Sequence, residues 1–129
     1  MDPIKRKALD EFGAKLMAEV RDEACSYLQR VISGKMRDAG SKELFRRYRN
    51  LDEQCAEVLH RFLGEAVDAC LVRFLHFIDV NEIPLVFKTS DGQHIDVQAI
   101  SDGLVGEVHN ETGWIARFSK FKDRVEPAR

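Results

Sequence analysis

Two histidines, two carboxylates and an arginine near the end of the chain are the residues best suited to chemistry. They are His94, Asp96, Glu107, His109 and Arg117. His94 and Asp96 are two residues apart, so on a β-strand they share one face. If Asp102-Gly103 forms a two-residue hairpin turn, His109 lies opposite Asp96 on that face. Such a face predicts a divalent-metal site or a general-base pair. A solvated sheet face with cross-strand charge pairs explains the same spacing and remains the alternative.

The same region is also strongly acidic. Residues 79–111 contain seven acidic side chains and one lysine, although the whole chain has a net charge of only -2. Residues 1–50 carry 12 basic and 8 acidic side chains, and residues 51–129 carry 8 and 14. We therefore expect a basic protein partner rather than nucleic acid, in spite of the basic cluster at residues 46–49. The predicted partner-binding residues are Asp91, Asp96, Asp102, Glu107 and Glu111.

Helical periodicity dominates the elements that must position these residues. Apolar residues at helical spacing predict helices at about 3–33, 41–50 and 52–79. In the first helix they include Leu9, Met17, Val20 and Tyr27, and Ser41 is the expected cap of the second. The segment Glu65–Asp79 has apolar residues around half of its circumference, which predicts a central helix with neighbours on several sides. Gly64 is expected to bend or end the helix before that segment.

After residue 80 the apolar period becomes two, and Ser-Asp-Gly occurs twice between alternating runs. This pattern predicts strands at about 84–89, 93–100, 103–109 and 113–119, joined by hairpin turns. The predicted fold class is α+β, with the helical N-terminal two-thirds packed on a four-stranded antiparallel β-meander in a single domain, 1–129. Trp114 is expected in the core between the sheet and the central helix. Alanine at Gly13 is expected to be milder than valine at Gly103, and residues 120–129 are expected to fray.

Several classes of protein are excluded by what the sequence lacks. It has no phosphate-binding loop, dinucleotide fingerprint, nucleophile elbow or HExxH motif. Three widely spaced cysteines lack zinc-ligand spacing and indicate a reducing compartment. The first residues have no apolar run typical of a signal peptide, and no segment suits a membrane span. The expectation is a cytoplasmic protein that needs no cofactor.

Several short strings together suggest a relationship. They are EVRDEA at 19–24, SGKM at 33–36, AVDACL at 66–71, SDGLVGE at 101–107 and GWIARFSK at 113–120. In this combination the chain resembles a group of small uncharacterised bacterial proteins in which helices precede a strand meander. The resemblance implies a bacterial source and the same layout. It implies no activity and no site residue.

The expected function is that of a non-enzymatic protein-binding module. Bacterial immunity proteins and antitoxins have this size and an acidic surface, and they need no catalytic apparatus; this is an analogy of fold and charge. The alternative is a small enzyme or metal-binding domain that uses the outer sheet face formed by His94, Asp96, Glu107 and His109. Formation of a homo-oligomer is compatible with either interpretation.

Overall fold

A computed structural model describes residues 1–128, and these residues are mainly helical. Helix α1 (Pro3–Leu16) continues through a π-helical turn (Met17–Arg21) into α2 (Asp22–Ile32). Helices α3 (Ala39–Tyr48) and α4 (Glu53–Val80) follow. Their bounds lie close to the predicted helices. No helix in this described part of the chain has the length and apolarity that crossing a membrane requires.

Aspartates begin three of these helices. Asp2 accepts a hydrogen bond from the backbone N of Ile4 at 2.8 Å, and Pro3 occupies the first helical turn. Asp52 caps α4 by accepting from Cys55 N at 2.8 Å. The cap of α3 is Asp38, which accepts from Ser41 N at 2.9 Å, so the expected cap at Ser41 is wrong by one turn.

The predicted four-stranded meander is wrong, because the described residues form only a two-stranded sheet. Strand β1 (Val86–Lys88) pairs antiparallel with β2 (His94–Asp96), and Phe87 lies opposite Ile95. The short helix α5 (Val97–Ile100) follows directly. The last two predicted strands are instead a 3-10 turn (Leu104–Glu107) and helix α6 (Trp114–Phe118).

The failed strands have a physical explanation in their spacing. Leu104 and Val108 are four residues apart and both fully buried, so they satisfy a helical period as well as an alternating one. The carboxylate of Asp79, at the end of α4, then accepts hydrogen bonds from the backbone N of Leu104 and Val105 at 3.0 and 3.2 Å. These bonds satisfy the first amides of the helical turn. Tertiary contacts therefore select the helix.

The main core lies where α1, α4 and the segments after β2 meet. Its fully or nearly fully buried members are Leu9, Met17, Leu71, Leu75, Ile78, Val97, Leu104, Val108 and Trp114. Burial of Trp114 is confirmed, but its ring packs on α1 rather than between the sheet and the central helix. Its centroid is 5.8 Å from that of Phe12, and it lies against Gly13. Gly13 thus permits the close approach of the indole.

Residues 120–128 pack against the helices, so the expectation of fraying is wrong for them; Arg129 lies outside the described residues. Val125 is fully buried in a second cluster with Cys25 and Ile32. Its backbone N donates to the carbonyl of His60 at 2.9 Å. A Cβ on Gly64 would lie 2.7 Å from the carbonyl oxygen of Asp123. Gly64 therefore admits the crossing segment, and α4 continues through it without ending.

Candidate functional site

The π-helical turn places two consecutive charged residues in the interior. Along α1 and α2, every fourth residue from Leu9 to Cys25 is buried. In an α-helix a step of four residues drifts by about 40°. The wider π-helical turn offsets part of this drift, so residues at intervals of four continue to face the interior. Arg21 and Asp22 consequently face the protein interior, where they are 1% and 7% exposed.

The guanidinium of Arg21 is enclosed by acceptors. Its Nε donates to Asp68 Oδ1 at 2.7 Å, and its Nη2 lies 3.3 Å from Asp68 Oδ2. Its Nη1 donates to Ser119 Oγ at 2.6 Å. The carbonyls of Phe121 and Lys122 accept the remaining bonds. All five N–H groups of the arginine thus have acceptors, as a buried guanidinium requires.

Asp22 extends this network to the C-terminal segment. Its carboxylate accepts from Ser119 Oγ at 2.5 Å and from the backbone N of Lys120 at 3.1 Å. The network therefore joins the first long helix, α4 and residues 119–122. π-Helical turns are frequent at functional sites, but here every donor of the arginine is used in holding the chain together. We interpret the network as structural: it fixes the position of α4, on either side of which lie the two exposed surfaces described next.

The first of these surfaces is apolar and lies along α4, the π-helical turn and the start of α2. Phe62, Phe74 and Phe77 on α4 are 66%, 57% and 54% exposed. A groove of ≈ 450 Å³ separates the two helices. We call this surface the apolar face, and it comprises Val20, Ala24, Val58, Phe62, Ala66, Cys70, Phe74, Phe77 and Val80. Folding of the described residues leaves these side chains wholly or partly in water.

The second surface is a polar groove of ≈ 470 Å³ between α4 and the segment around Val105 and His109. In it, His109 Nε2 lies 3.5 Å from Asp68 Oδ2. A histidine beside a carboxylate is the arrangement a general base requires. However, this carboxylate already accepts from the buried guanidinium of Arg21, and the His109 side chain is 56% exposed. The pair therefore continues the structural network to the surface.

The predicted site residues at the sheet are only partly available to a ligand. His94 is exposed on β2, opposite Lys88. Asp96 accepts hydrogen bonds from the backbone N of Leu85, Gln98 and Ala99 at 3.0, 3.1 and 3.3 Å. Its carboxylate therefore caps α5 and fixes the start of β1. The predicted pairing of Asp96 with His109 across a hairpin is wrong, because residues 104–107 form a helical turn.

Glu107 and Arg117 belong to an ion-pair network on α1. Arg6 donates to Glu107 Oε2 at 2.8 Å and to Asp10 Oδ1 at 2.7 Å. Arg117 donates to both oxygens of Asp10, at 2.8 and 3.1 Å. The hydrogen bond from Arg117, together with that from Arg6, lowers the pKa of Asp10 to about 2. Arg6 and Asp10 are the members of this network that sequence reasoning missed.

The other predicted partner-binding residues lie on exposed turns. Asp91 accepts a hydrogen bond from the hydroxyl of Thr89, which lowers the pKa of the carboxyl group. Asp102 and Glu111 are exposed in the segments that flank the 3-10 turn. Across the described residues 1–128, His94, Asp96, Glu107 and His109 do not bring three ligating atoms within 4.8 Å of one another.

A different histidine does lie beside two carboxylates. Ligating atoms of Glu57, His60 and Glu126 lie within 4.8 Å of one another, and we call them the histidine–carboxylate cluster. His60 Nε2 is 2.6 Å from the hydroxyl of Tyr48, while its Nδ1 is buried without a hydrogen-bond partner in the described part of the chain. Arg124 pairs with both carboxylates, at 2.5 and 3.2 Å. This guanidinium supplies the positive charge that a metal ion would bring.

Comparisons of the chain with protein-family models, with curated proteins and with solved structures found no match.

Proposed function

We propose that this chain is a non-enzymatic protein-binding module that acts through its apolar face. The observation that supports this function is the exposure of Phe62, Phe74 and Phe77 beside an open apolar groove. Soluble monomers rarely expose contiguous apolar patches larger than a few hundred Å², and larger ones mark interaction sites. Phenylalanine is also among the residues enriched in the buried centres of protein interfaces.

The width of the apolar stripe on α4 supports the same proposal. The sequence predicts neighbours on several sides of this helix. Leu71, Leu75 and Ile78 pack into the core, whereas Phe74 and Phe77 remain more than half exposed. The described chain thus provides neighbours for only part of the stripe. A bound protein is the proposed neighbour of the remainder.

The acidic region, residues 79–111, offers fewer free carboxylates to a partner than its number of acidic residues predicts. Asp79, Asp96 and Glu107 are engaged by backbone amides or by Arg6. Glu82, Asp91, Asp102 and Glu111 are the exposed carboxylates that remain for a basic partner, and they would act mainly by steering its approach. An immunity- or antitoxin-like role in the cytoplasm of a bacterium fits a chain with three free cysteines.

The proposal is tested by comparing captured proteins among matched variants. Phe74→Glu places a charge in the centre of the apolar face, and Val86→Glu places the same charge on an apolar residue of β1 that is 61% exposed. We expect wild type and Val86→Glu to retain the same partner from an extract of the source cells, and Phe74→Glu to lose it. Recovery of the same proteins with all three chains would contradict the proposal. Far-ultraviolet circular dichroism confirms that each variant is folded.

A triple lysine variant at three of these exposed carboxylates tests whether the partner is basic. If charge steers association, Asp91→Lys with Asp102→Lys and Glu111→Lys slows the association rate and weakens its salt dependence. An unchanged association rate would remove the acidic region from the proposal.

A further inference from the structure

The apolar groove offers a bound segment few groups with which to form hydrogen bonds. Its walls are α4 on one side and the π-helical turn with the start of α2 on the other, and their backbone groups bond within each helix. Among the described residues that line the groove, Arg21 is the one charged side chain, and its N–H groups all have acceptors elsewhere. The thiol of Cys70 adds only a weak donor. A segment that enters the groove must therefore satisfy its own polar groups.

This requirement decides the conformation of the occupant. An extended segment would bring its backbone N–H and C=O groups against apolar side chains and leave them unpaired, which is costly. An α-helix satisfies these groups internally and presents only its side chains. We propose that the apolar face binds an amphipathic α-helix of a partner protein, which packs as a third helix against α4 and the first long helix. This inference rests on the proposed function, because it names the kind of segment that the face binds.

The walls of the groove are arranged like two neighbouring helices of a bundle. Met17 shares the main core with Leu75, whereas Cys25 shares the second cluster with Leu63. The first long helix and α4 therefore run antiparallel, and their pairing leaves an open groove of ≈ 450 Å³ along one side. A third helix in such a groove buries one apolar stripe against both neighbours at once.

The length of the apolar face sets the length of the bound helix. Phe62 and Phe77 are separated by about 22 Å along α4. A helix of about 15 residues, or about four turns, covers this distance. Ala24, Ala66 and Cys70 have small side chains, so the side chains of the bound helix pack deeply between the walls. Its anchors are then apolar residues at i, i+3 or i+4 and i+7.

A charged residue stands on each rim of the groove. On the α2 side, Glu23 lies three residues after Val20 and four before Tyr27. On the α4 side, Arg73 lies four residues before Phe77, on the ridge that separates the apolar groove from the polar groove. Both charged residues are exposed, and within residues 1–128 neither belongs to an ion pair. They flank the apolar contact as the e and g positions do in a coiled coil.

These two charges give the bound helix a preferred direction. Other charges near the α2 rim already have partners, since Glu19 pairs with Lys15 at 3.7 Å and Arg30 lies 6.0 Å from the centre of an aromatic ring. A helix with a basic flank towards Glu23 and an acidic flank towards Arg73 complements both rims. Reversal of that helix exchanges its flanks and brings like charges together.

The first test lets the protein choose its own ligand. The probe is a phage-displayed library of random 16-residue peptides, selected on the immobilised wild-type chain and counter-selected on Phe74→Glu. We expect the enriched peptides to have apolar residues at i, i+3 or i+4 and i+7, with basic residues on one flank of this stripe and acidic residues on the other. The matched control Val86→Glu, whose added charge lies outside the apolar face, should retain the same peptides.

The second test measures the dissociation constant of the most enriched peptide by fluorescence anisotropy. A proline in the middle of its apolar stripe should weaken binding by about 100-fold, because proline breaks a helix. Glu23→Lys and Arg73→Glu should each weaken it by about 3-fold, as befits exposed ion pairs. The double variant exchanges the two rims, so the peptide binds in the reverse direction and recovers much of its affinity. Lys42→Glu, a charge reversal on α3, should leave the dissociation constant unchanged.

The outcomes separate this inference from the proposed function, which is tested by capture from the extract. Enrichment of peptides whose apolar residues alternate, or binding that the proline does not weaken, would overturn the helix and leave protein binding by the face intact. An absence of enrichment over Phe74→Glu would also overturn it. A wild type that light scattering shows to be a dimer, and that Phe74→Glu makes monomeric, would assign the face to a second copy instead. Unchanged affinity in both single charge variants would contradict the preferred direction.

Discussion

Replacement of Gly13 by alanine tests the packing of α1 against the tryptophan. A Cβ at this position would lie 2.3 Å from both Cε2 and Nε1 of Trp114 and 2.5 Å from its Cδ1. Ordinary contact between such atoms requires about 3.5 Å. The indole must therefore move by about 1.2 Å. It is fully buried, with Phe12 on one side, so it has no open space to enter.

The expected cost combines two opposing effects. Overpacking in a close-packed core costs about 1–3 kcal/mol. Alanine is a better helix former than glycine by about 1 kcal/mol, which offsets part of that cost. Because Trp114 has no exposed edge, we take the upper end for overpacking and expect a net loss of about 2 kcal/mol. The sequence alone predicts that alanine at Gly13 is milder than valine at Gly103, and the contact with Trp114 gives Gly13→Ala a cost that this comparison did not include.

Urea unfolding provides the assay, followed both by circular dichroism and by fluorescence of the single tryptophan. With an m-value of about 2 kcal/mol per molar, the midpoint should fall by about 1 M. The matched control is Gly40→Ala on α3, where a Cβ would have only one contact, at 3.6 Å from Asp38 Oδ2. We expect that control to be neutral or stabilising. A Gly13→Ala variant as stable as wild type would refute the packing described for Trp114.

Three further predictions follow from the polar groups. Asp68→Ala removes the counter-charge of the buried Arg21 guanidinium and should lower the free energy of unfolding in urea by about 3–5 kcal/mol. The control Glu23→Ala, at an exposed position, should change it by less than about 0.5 kcal/mol. The pKa of Asp10, about 2 in the folded state against an ordinary 3.8, means that its stabilising contribution is present above pH 4 and is lost as the pH falls towards 2. Arg117→Gln removes the hydrogen bond that contributes most to this lowered pKa. In this variant the urea midpoint should depend less on pH between about 4 and 2, and an unchanged dependence would contradict the ion pair. Dialysis against a strong chelator should leave the thermal midpoint unchanged, because Arg124 already pairs with both carboxylates of the histidine–carboxylate cluster. A fall that one metal reverses would show that the cluster binds that metal.

The helices could be predicted because their signals are long and local. Aspartate caps and apolar residues at helical spacing occur together at the starts of α1 and α4, and α1 also has a proline in its first turn. The structure after residue 100 could not be predicted in the same way, because a run such as Leu104–Val108 is too short to distinguish a period of two from one of 3.6. The deciding interaction there is the carboxylate of Asp79, which is 25 residues away in sequence.

The candidate site was harder to predict than the fold, because a count of charges does not show which groups accept hydrogen bonds. Asp96 was a candidate for chemistry on spacing alone, whereas three backbone amides engage its carboxylate. Arg21 and Asp22 were not among the candidates, although both are buried. The signal that could have identified them is the succession of inward positions at Leu9, Gly13 and Met17, since a further step of four reaches Arg21.

The π-helical turn also explains why apolar residues of the first long helix face water. An uninterrupted α-helix would place Val20 and Tyr27 on the same inner face as Leu9 and Met17. The wider turn changes the phase of the helix, brings Arg21 inward and leaves Val20 and Tyr27 50% and 45% exposed. Val20 thereby lies beside the groove that Phe74 also lines. The burial of Arg21 beside Asp68 and the exposure of Val20 are thus two consequences of one helical irregularity. A variant that removes one residue from Met17–Arg21 would be expected to alter both together.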